Sequence, residues 1–242
     1  MIVVIPMAGR GSRFAGSGYT TPKPFIEVNG APMFIRALQS IAGVAYTQLV
    51  FVTLREHDSQ YHVQETSNRY GYNRAQMVCI DEVTEGQLCT VLAARSYFEN
   101  GEDVLIMASD SYIASGIQHD LTSKSPDCKG IISVINLPGE QWSFARSDEN
   151  GNVVEVAEKK RISDHASTGI YYFADGRELC TVADAMIAAD ERTRGEFYVI
   201  PVYQKLINRG EKVTLSFATE MWDMGTPEAK EKFEIYLRQD TR

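Results

Sequence analysis

The amino-acid sequence predicts an α/β domain of three layers, with helices on both faces of a mixed, mainly parallel central sheet. Three observations carry that expectation. Short apolar, often β-branched runs alternate with helix-period segments through the first half of the chain. No linker, repeat or low-complexity tract interrupts it, and an apolar content of 44% suits one substantial core. Strand–helix alternation at this rhythm implies βαβ units, whose crossovers leave neighbouring strands parallel. With no boundary in view, residues 1–242 read as one domain.

Ile2–Ile5 is a continuous β-branched run stopped by Pro6, the pattern of a buried strand. Phe34, Ile35, Leu38 and Ile41 fall on one face of a helix. Leu49–Leu54 reads as the second strand, His57–Tyr70 as a polar-faced helix, and Met77–Ile80 as the third strand. A helix over Leu88–Phe98 then leads to a fourth strand, Val104–Met107, which ends at Ala108-Ser109-Asp110. The second half is more antiparallel in pattern. Gly130–Ile135 and Val153–Glu158 are expected as strands about a turn at Asp148-Glu149-Asn150-Gly151, where Asn-Gly is a hairpin sequence. Gly169–Phe173 is the next strand, followed by helices over Asp184–Arg192 and Tyr198–Arg209, a last strand at Val213–Phe217 and a closing helix over Glu228–Arg238.

Charge and cysteine usage narrow the function classes. With 24 Lys and Arg against 32 Asp and Glu, the chain carries a formal charge of -8. That leaves no broad cationic surface for nucleic acid, although one local basic pocket could hold a small anion. Carboxylates in surplus can also hold a divalent cation. Cys79, Cys89, Cys128 and Cys180 stand singly, without the spacing of a zinc site or a disulfide framework. The N-terminal apolar run is too short for a membrane span or a signal-peptide core. A cytoplasmic chain that binds neither nucleic acid nor membrane is therefore expected, with homo-oligomerisation left open.

The most informative stretch follows the first strand: Gly9-Arg10-Gly11-Ser12-Arg13-Phe14, then Pro22-Lys23-Pro24. A dinucleotide-binding fingerprint would need a third glycine where Phe14 stands, and no G-x-x-x-x-G-K-[ST] phosphate loop is present. What remains is a glycine turn whose backbone N–H groups can approach phosphate oxygens, with Arg13 and Lys23 as two cations from the same loop. Such cations neutralise charge on a reacting phosphate and its leaving group.

These residues resemble the N-terminal signature of the sugar-phosphate nucleotidylyltransferases, G-x-G-x-R-[LF] followed at short distance by P-K-P. Later marks of that family appear in order. Asp110 follows the fourth strand, where the family places an aspartate that binds Mg²⁺. Trp222-Asp223-Met224-Gly225-Thr226-Pro227-Glu228 is similar to the family's W-x-D-[IVM]-G-T-P-E region, shortened by one residue, and its aspartate is the family's second metal ligand. Thr226 is the natural cap of the closing helix, with Pro227 at its first position. Glu158-Lys159 and the strand around Thr168-Gly169-Ile170-Tyr171 look like the segments flanking the family's sugar-phosphate pocket, with Lys160 where proline is usual. Gly86 and Gln87 stand where the family reads the nucleotide base, and Gln87-Leu88-Cys89 departs from its usual small residues. Glu196 and Tyr198 resemble a segment beside the acceptor pocket, although Tyr198 reads equally well as a core aromatic.

The resemblance implies a Rossmann-like nucleotidyltransferase, cytoplasmic, with Mg²⁺ as cofactor and an NTP and a small phosphorylated compound as substrates. It implies catalytic roles for Arg13, Lys23, Asp110 and Asp223, the two aspartates holding the metal. Ala8, Gly9, Gly11, Gly86, Gln87 and Ser109 would contact the nucleotide; Glu158, Lys159, Thr168, Gly169 and Glu196 would contact the acceptor. The short length, with no hexapeptide-repeat acetyltransferase domain expected, is most similar to members from bacterial capsule and surface-polysaccharide pathways. Trp222 and the Gln87 loop point away from the common glucose-type pocket. The acceptor is then a sugar 1-phosphate, or a non-sugar phosphate such as phosphocholine under a cytidylyltransferase reading. Two other classes stay open: a glycosyltransferase of the GT-A type, although Ser109-Asp110-Ser111 lacks the D-x-D pair, and a catalytically silent nucleotide-sensing subunit.

Overall fold

The computed structural model describes residues 1–73 and 75–240. In chain order, β1 (Ile2–Pro6) leads through a glycine loop to α1 (Ser12–Gly16) and a 3-10 turn at Lys23–Phe25. The two-residue strands β2 (Glu27–Val28) and β3 (Ala31–Pro32) and then α2 (Met33–Leu38) follow. The first half continues with β4 (Gln48–Leu54), α3 (Arg55–Tyr61), α4 (Val63–Arg69), β5 (Ala75–Ile80), α5 (Gln87–Leu92) and β6 (Val104–Met107). Beyond it come β7 (Ser111–Ser115), α6 (Ile117–Ser123), β8 (Cys128–Ile135), β9 (Ser143–Ser147), β10 (Val153–Glu158) and β11 (Ala166–Phe173). The chain closes with α7 (Gly176–Ala188), α8 (Ile200–Asn208), β12 (Lys212–Asp223) and α9 (Pro227–Asp240).

The central sheet runs β5-β4-β1-β6-β11-β8-β12-β7, with the β9–β10 pair attached through β9 to β11. β5, β4, β1 and β6 are mutually parallel; β11 opposes β6 and β8, and β12 runs parallel to β8. Six of the eight strands on this path therefore share one direction, and only β11 and β7 oppose it. This is the mixed, mainly parallel sheet the sequence predicts. Strand alternation divides its apolar side chains between two cores. Ile2, Val4, Val50, Val52 and Ile106 face one cluster, where α5, α7 and α8 pack. Val3, Ile5, Phe51, Leu105 and Met107 face the other, covered by α2, α6 and α9. β1, β4 and β6 are buried on both faces, which is why they read as nearly unbroken apolar runs, while β5 is only partly buried.

Several boundaries differ from the sequence expectation, each for a local reason. The helix expected over 57–70 is two helices, broken at His62, whose φ is 46°. Asp58 makes the break: its carbonyl accepts from His62 N–H, and its carboxylate accepts from Val63 N–H at 3.1 Å, starting α4. The helix expected over 88–98 ends as α5 at Leu92, followed by a 3-10 turn at Arg95–Tyr97. The hairpin about Asn150-Gly151 exists, but its first arm is β9 rather than Gly130–Ile135. The helix expected over 184–192 begins at Gly176, because Asp175 caps it by accepting from the N–H groups of Arg177 and Glu178. β12 outruns the expected 213–217 and extends to Asp223. Among the described residues, no helix is long and apolar enough to cross a membrane.

Candidate active site

The glycine loop leaves the carboxyl end of β1, the edge of a parallel sheet where ligands bind in such folds. Phe14 is buried and meets Tyr19 edge-on at 5.1 Å, anchoring α1 from below. Gly11 has a φ of 60°, and a Cβ there would lie 3.0 Å from the Lys23 Cβ. Its bare α-carbon thus lets the Pro22-Lys23-Pro24 turn close against the loop. From the far side Phe25 stacks on Tyr61 of α3 at 4.3 Å. Lys23 is held between these two contacts.

Its ammonium donates to Asp110 Oδ2 and forms an ion pair with it. Asp110 joins β6 to β7, and its carbonyl accepts from Met224 N–H at 2.8 Å. That bond ties the Asp110 turn to the end of β12, where Asp223 is the cross-strand partner of Ser111. Asp223 accepts from Gly225 N–H at 2.9 Å. Burial, reinforced by the charge of Asp110, pushes the Asp223 carboxyl above the usual carboxylate range, and Lys23 and Arg13 partly offset the rise. Arg13, Lys23, Asp110 and Asp223, scattered in sequence, are thus one electrostatic cluster.

The groove above this cluster has two lobes. One is bordered by Gly11, Arg13, Lys23, Ser109, Asp110 and Tyr198. The other is bordered by Ala8, Arg10, Thr84, Gly86 and Glu196. Gly9, Gly11, Ser12 and Gln87 belong to both, so the lobes are continuous. Gly86 precedes α5 with φ 138° and ψ 174°, a conformation essentially reserved for glycine. It is pressed against the chain at Phe197: Phe197 N–H donates to the Glu85 carbonyl at 2.9 Å, and Leu88 N–H donates to the Phe197 carbonyl at 3.0 Å.

Glu158 and Lys159 lie at the end of β10. Ser143 donates to the Glu158 carboxylate, and the Tyr171 hydroxyl lies 3.4 Å from Ser143 Oγ. Burial raises the Glu158 carboxyl above its usual range, with Ser143 and Lys159 opposing the shift. Lys159 adopts a left-handed backbone, φ 53°, and donates its N–H to the Trp142 carbonyl at 2.9 Å. Its ammonium donates to the Tyr198 hydroxyl and sits 4.2 Å from that ring's centre. Gly169 breaks the β11 register, and its carbonyl accepts from Ala108 N–H at 3.1 Å, beside Ser109. Thr168 is turned into the core, with its hydroxyl 3.4 Å from the Ser133 carbonyl oxygen. Ser143 is a group of this corner that sequence reasoning passed over, and Tyr171 was read only as part of the strand after Thr168, with no role of its own. They lie on different strands, and only the β9–β11 pairing brings them together.

Known proteins resemble the chain, among them two along nearly all of it. A nucleoside-diphosphate-sugar pyrophosphorylase from Vibrio cholerae RC9 superposes with a TM-score of 0.83 at 28% identity, covering 96% of this chain and 99% of that one. The UTP–glucose-1-phosphate uridylyltransferase AglF of Haloferax volcanii is 20% identical over 100% of this chain and 98% of its own. A 2-C-methyl-D-erythritol 4-phosphate cytidylyltransferase from Acidobacterium capsulatum is 34% identical over 74 residues, a match spanning 30% of each chain. The family model described as nucleotidyl transferase matches residues 2–236. With that match laid over a groove that gathers Arg13, Lys23, Asp110 and Asp223, the chain belongs to the nucleotidyl transferase family of enzymes.

Proposed function

We propose that this enzyme couples an NTP to a sugar 1-phosphate, releasing pyrophosphate and a nucleoside-diphosphate sugar. The observation that carries the proposal is the convergence of Lys23, Arg13, Asp110 and Asp223 at one end of a two-lobed groove. The names of the Vibrio and Haloferax proteins support the substrate class. A phosphate oxygen of the acceptor forms a bond to the α-phosphorus, and the bond from that phosphorus to the β-phosphate oxygen breaks. The electron pair leaves on pyrophosphate. The attacking oxygen is already ionised at neutral pH, so no proton has to be removed. Catalysis is then positioning and charge neutralisation.

In this reading Arg13 and Lys23 offset charge on the α-phosphate and the departing pyrophosphate. The glycine-loop N–H groups approach the triphosphate, and the lobe at Gly86 and Gln87 receives the base. Lys159 receives the acceptor phosphate beside the Tyr198 edge of the groove, with Glu158 next to it and Glu196 at the border of the base-side lobe. The donors fit Mg²⁺: two hard carboxylates are brought together by the Met224–Asp110 backbone bond, and the charge of Asp110 already disfavours the charge of Asp223. Among the described residues no group of three or more His, Cys, Asp or Glu could hold a metal, so phosphate and water oxygens would fill the remaining positions, as Mg²⁺ commonly requires. When bound, the ion would neutralise triphosphate charge.

The local match to a cytidylyltransferase favours one second reading, in which CTP is coupled to a non-sugar phosphate. Pyrophosphate release over a panel of UTP, dTTP, CTP, GTP and ATP against hexose 1-phosphates, a polyol phosphate and phosphocholine tests both. The proposal expects turnover with at least one hexose 1-phosphate. Turnover confined to a non-sugar phosphate would favour the second reading, and no pyrophosphate from any pair would overturn both.

A further inference from the structure

Lys159 reaches the groove only through Tyr198, which lines one lobe. Its ammonium donates to the Tyr198 hydroxyl and lies 4.2 Å from the ring centre. The phenol lies close enough to Glu196 for that carboxylate to help hold its proton, and it borders the lobe that contains Lys23 and Asp110, while Glu196 borders the other lobe. Tyr198 therefore stands between Lys159, which it holds by hydrogen bond, and the carboxylate of Glu196 at the second lobe. Both of these neighbours are held by tight backbone. Lys159 is left-handed at φ 53°, and Glu196 closes a turn through Arg194 and Gly195, at φ 50° and 86°, by a bridge to Thr193. The same segment is fastened to the base-side loop: Phe197 exchanges two backbone hydrogen bonds with Glu85 and Leu88, and Arg192 pairs with Glu85 at 3.2 Å. Non-glycine residues held in sparsely populated conformations cost energy that the surroundings must supply, and they cluster at functional sites.

We infer that Tyr198 is a positioning residue: its hydroxyl holds the Lys159 ammonium at the acceptor-phosphate position, and the Arg192–Tyr198 segment links that position to the base-side loop. A flexible lysine has four rotatable bonds, and fixing its ammonium beforehand removes an ordering cost from each binding event. The phenol oxygen is suited to this task because it accepts from the ammonium without neutralising it. A carboxylate in its place would compete with the incoming phosphate for the same charge. The inference rests on the reaction proposed above.

Tyr198→Phe keeps the ring and removes the oxygen. It should raise the acceptor KM about tenfold, the scale of one hydrogen bond to a charged group, while the NTP KM stays unchanged. In a Lys159→Ala background the same change should cost nothing further, because the two side chains act as a unit. Amine-reactive labelling followed by peptide mass spectrometry gives a readout independent of turnover: Lys159 should react several-fold faster in Tyr198→Phe, with Lys160 unchanged as the internal control. An unchanged acceptor KM, an equal penalty in the Lys159→Ala background, or unchanged Lys159 labelling overturns the role of Tyr198 while leaving an active wild-type enzyme. Absence of pyrophosphate release by the wild type overturns the reaction itself, and with it this role.

Discussion

Gly86→Ala tests the geometry of the base-side lobe with a single methyl group. The added Cβ would lie 2.4 Å from the Phe197 carbonyl oxygen and 2.6 Å from its nitrogen. Both atoms are backbone, and both are committed to hydrogen bonds with Glu85 and Leu88, so neither can turn aside as a side chain would. The backbone conformation, φ 138° with ψ 174°, adds a penalty of about 1–3 kcal/mol for any residue with a Cβ. Overpacking adds about 1–3 kcal/mol more. Partial relaxation of the loop leaves an expected loss of about 3 kcal/mol, which at this chain length lowers the thermal midpoint by roughly 6–12 °C. Gly210→Ala supplies the control, because φ there is 81° and nothing lies within 4 Å of the added methyl. It should cost about 1–2 kcal/mol from handedness alone.

The assay is thermal unfolding of both variants beside the wild type, with NTP KM measured on Gly86→Ala. Relief of the clash must push Phe197 or the 84–87 loop outward, so NTP KM should rise several-fold while acceptor KM changes less. Equal midpoints for the two variants would refute the argument that the Phe197 backbone is what excludes a side chain at position 86.

The remaining predictions concern the charged groups. Lys23→Ala should lower turnover by about 10²-fold or more, the scale of one lost charge-stabilising group, as measured by pyrophosphate release at saturating substrates. Asp223→Asn should lower turnover comparably yet raise the thermal midpoint, because burial and Asp110 both disfavour its charge and an amide oxygen can still accept from Gly225. Chelation with EDTA should abolish pyrophosphate release and added Mg²⁺ restore it; full activity in EDTA would remove Mg²⁺ from the reaction. Glu158 carries a raised carboxyl pKa, with burial the main cause, so the folded state binds more protons than the unfolded state between the two values, and stability falls as pH rises through that window. Glu158→Gln should therefore raise the midpoint at neutral pH, with the gain vanishing below the ordinary carboxylate range; a gain that does not vary with pH would refute this assignment.

The parallel half of the fold was legible because β1, β4 and β6 are buried on both faces, whereas β5 is only partly buried beyond Ala75. The second half was legible only in outline. β9 carries two buried residues, Phe144 and Ala145, between polar neighbours, too few to establish a period. α7 was misplaced because its start depends on the Asp175 cap, and the apolar residues that follow fit more than one register. At the site, Arg13, Lys23, Asp110 and Asp223 were readable by their places in short motifs. Their mutual contacts were not, since these depend on strand pairing across the length of the chain. Thr168 was named for the acceptor, yet β11 is buried on both faces there and the Thr168 hydroxyl lies against the Ser133 carbonyl. Tyr198 stood between two readings because a half-buried aromatic beside a lysine has no signature in one dimension.

Trp222 shows how the distant parts of the cluster are kept in register. β12 runs parallel to β8 as far as Phe217, passes an irregularity between Ala218 and Glu220, and then pairs antiparallel with β7 up to Asp223. Successive side chains of a strand point to opposite faces, so a one-residue slip would turn Asp223 away from Asp110. The sequence reads Trp222 as a pocket marker; in the structure its ring stacks on Tyr236 and Phe233 of α9 at 4.6 and 5.5 Å, and its indole N–H donates to Glu220. With Trp222 committed to α9, Asp223 faces the other way. The helix is itself anchored just beyond, where Thr226 caps it by accepting from Ala229 N–H at 3.2 Å and Met224 N–H reaches the Asp110 carbonyl. The tryptophan, the cap and that backbone bond fix the separation of the two carboxylates. The W-D-M-G-T-P-E stretch is therefore a register device as well as the segment that carries Asp223.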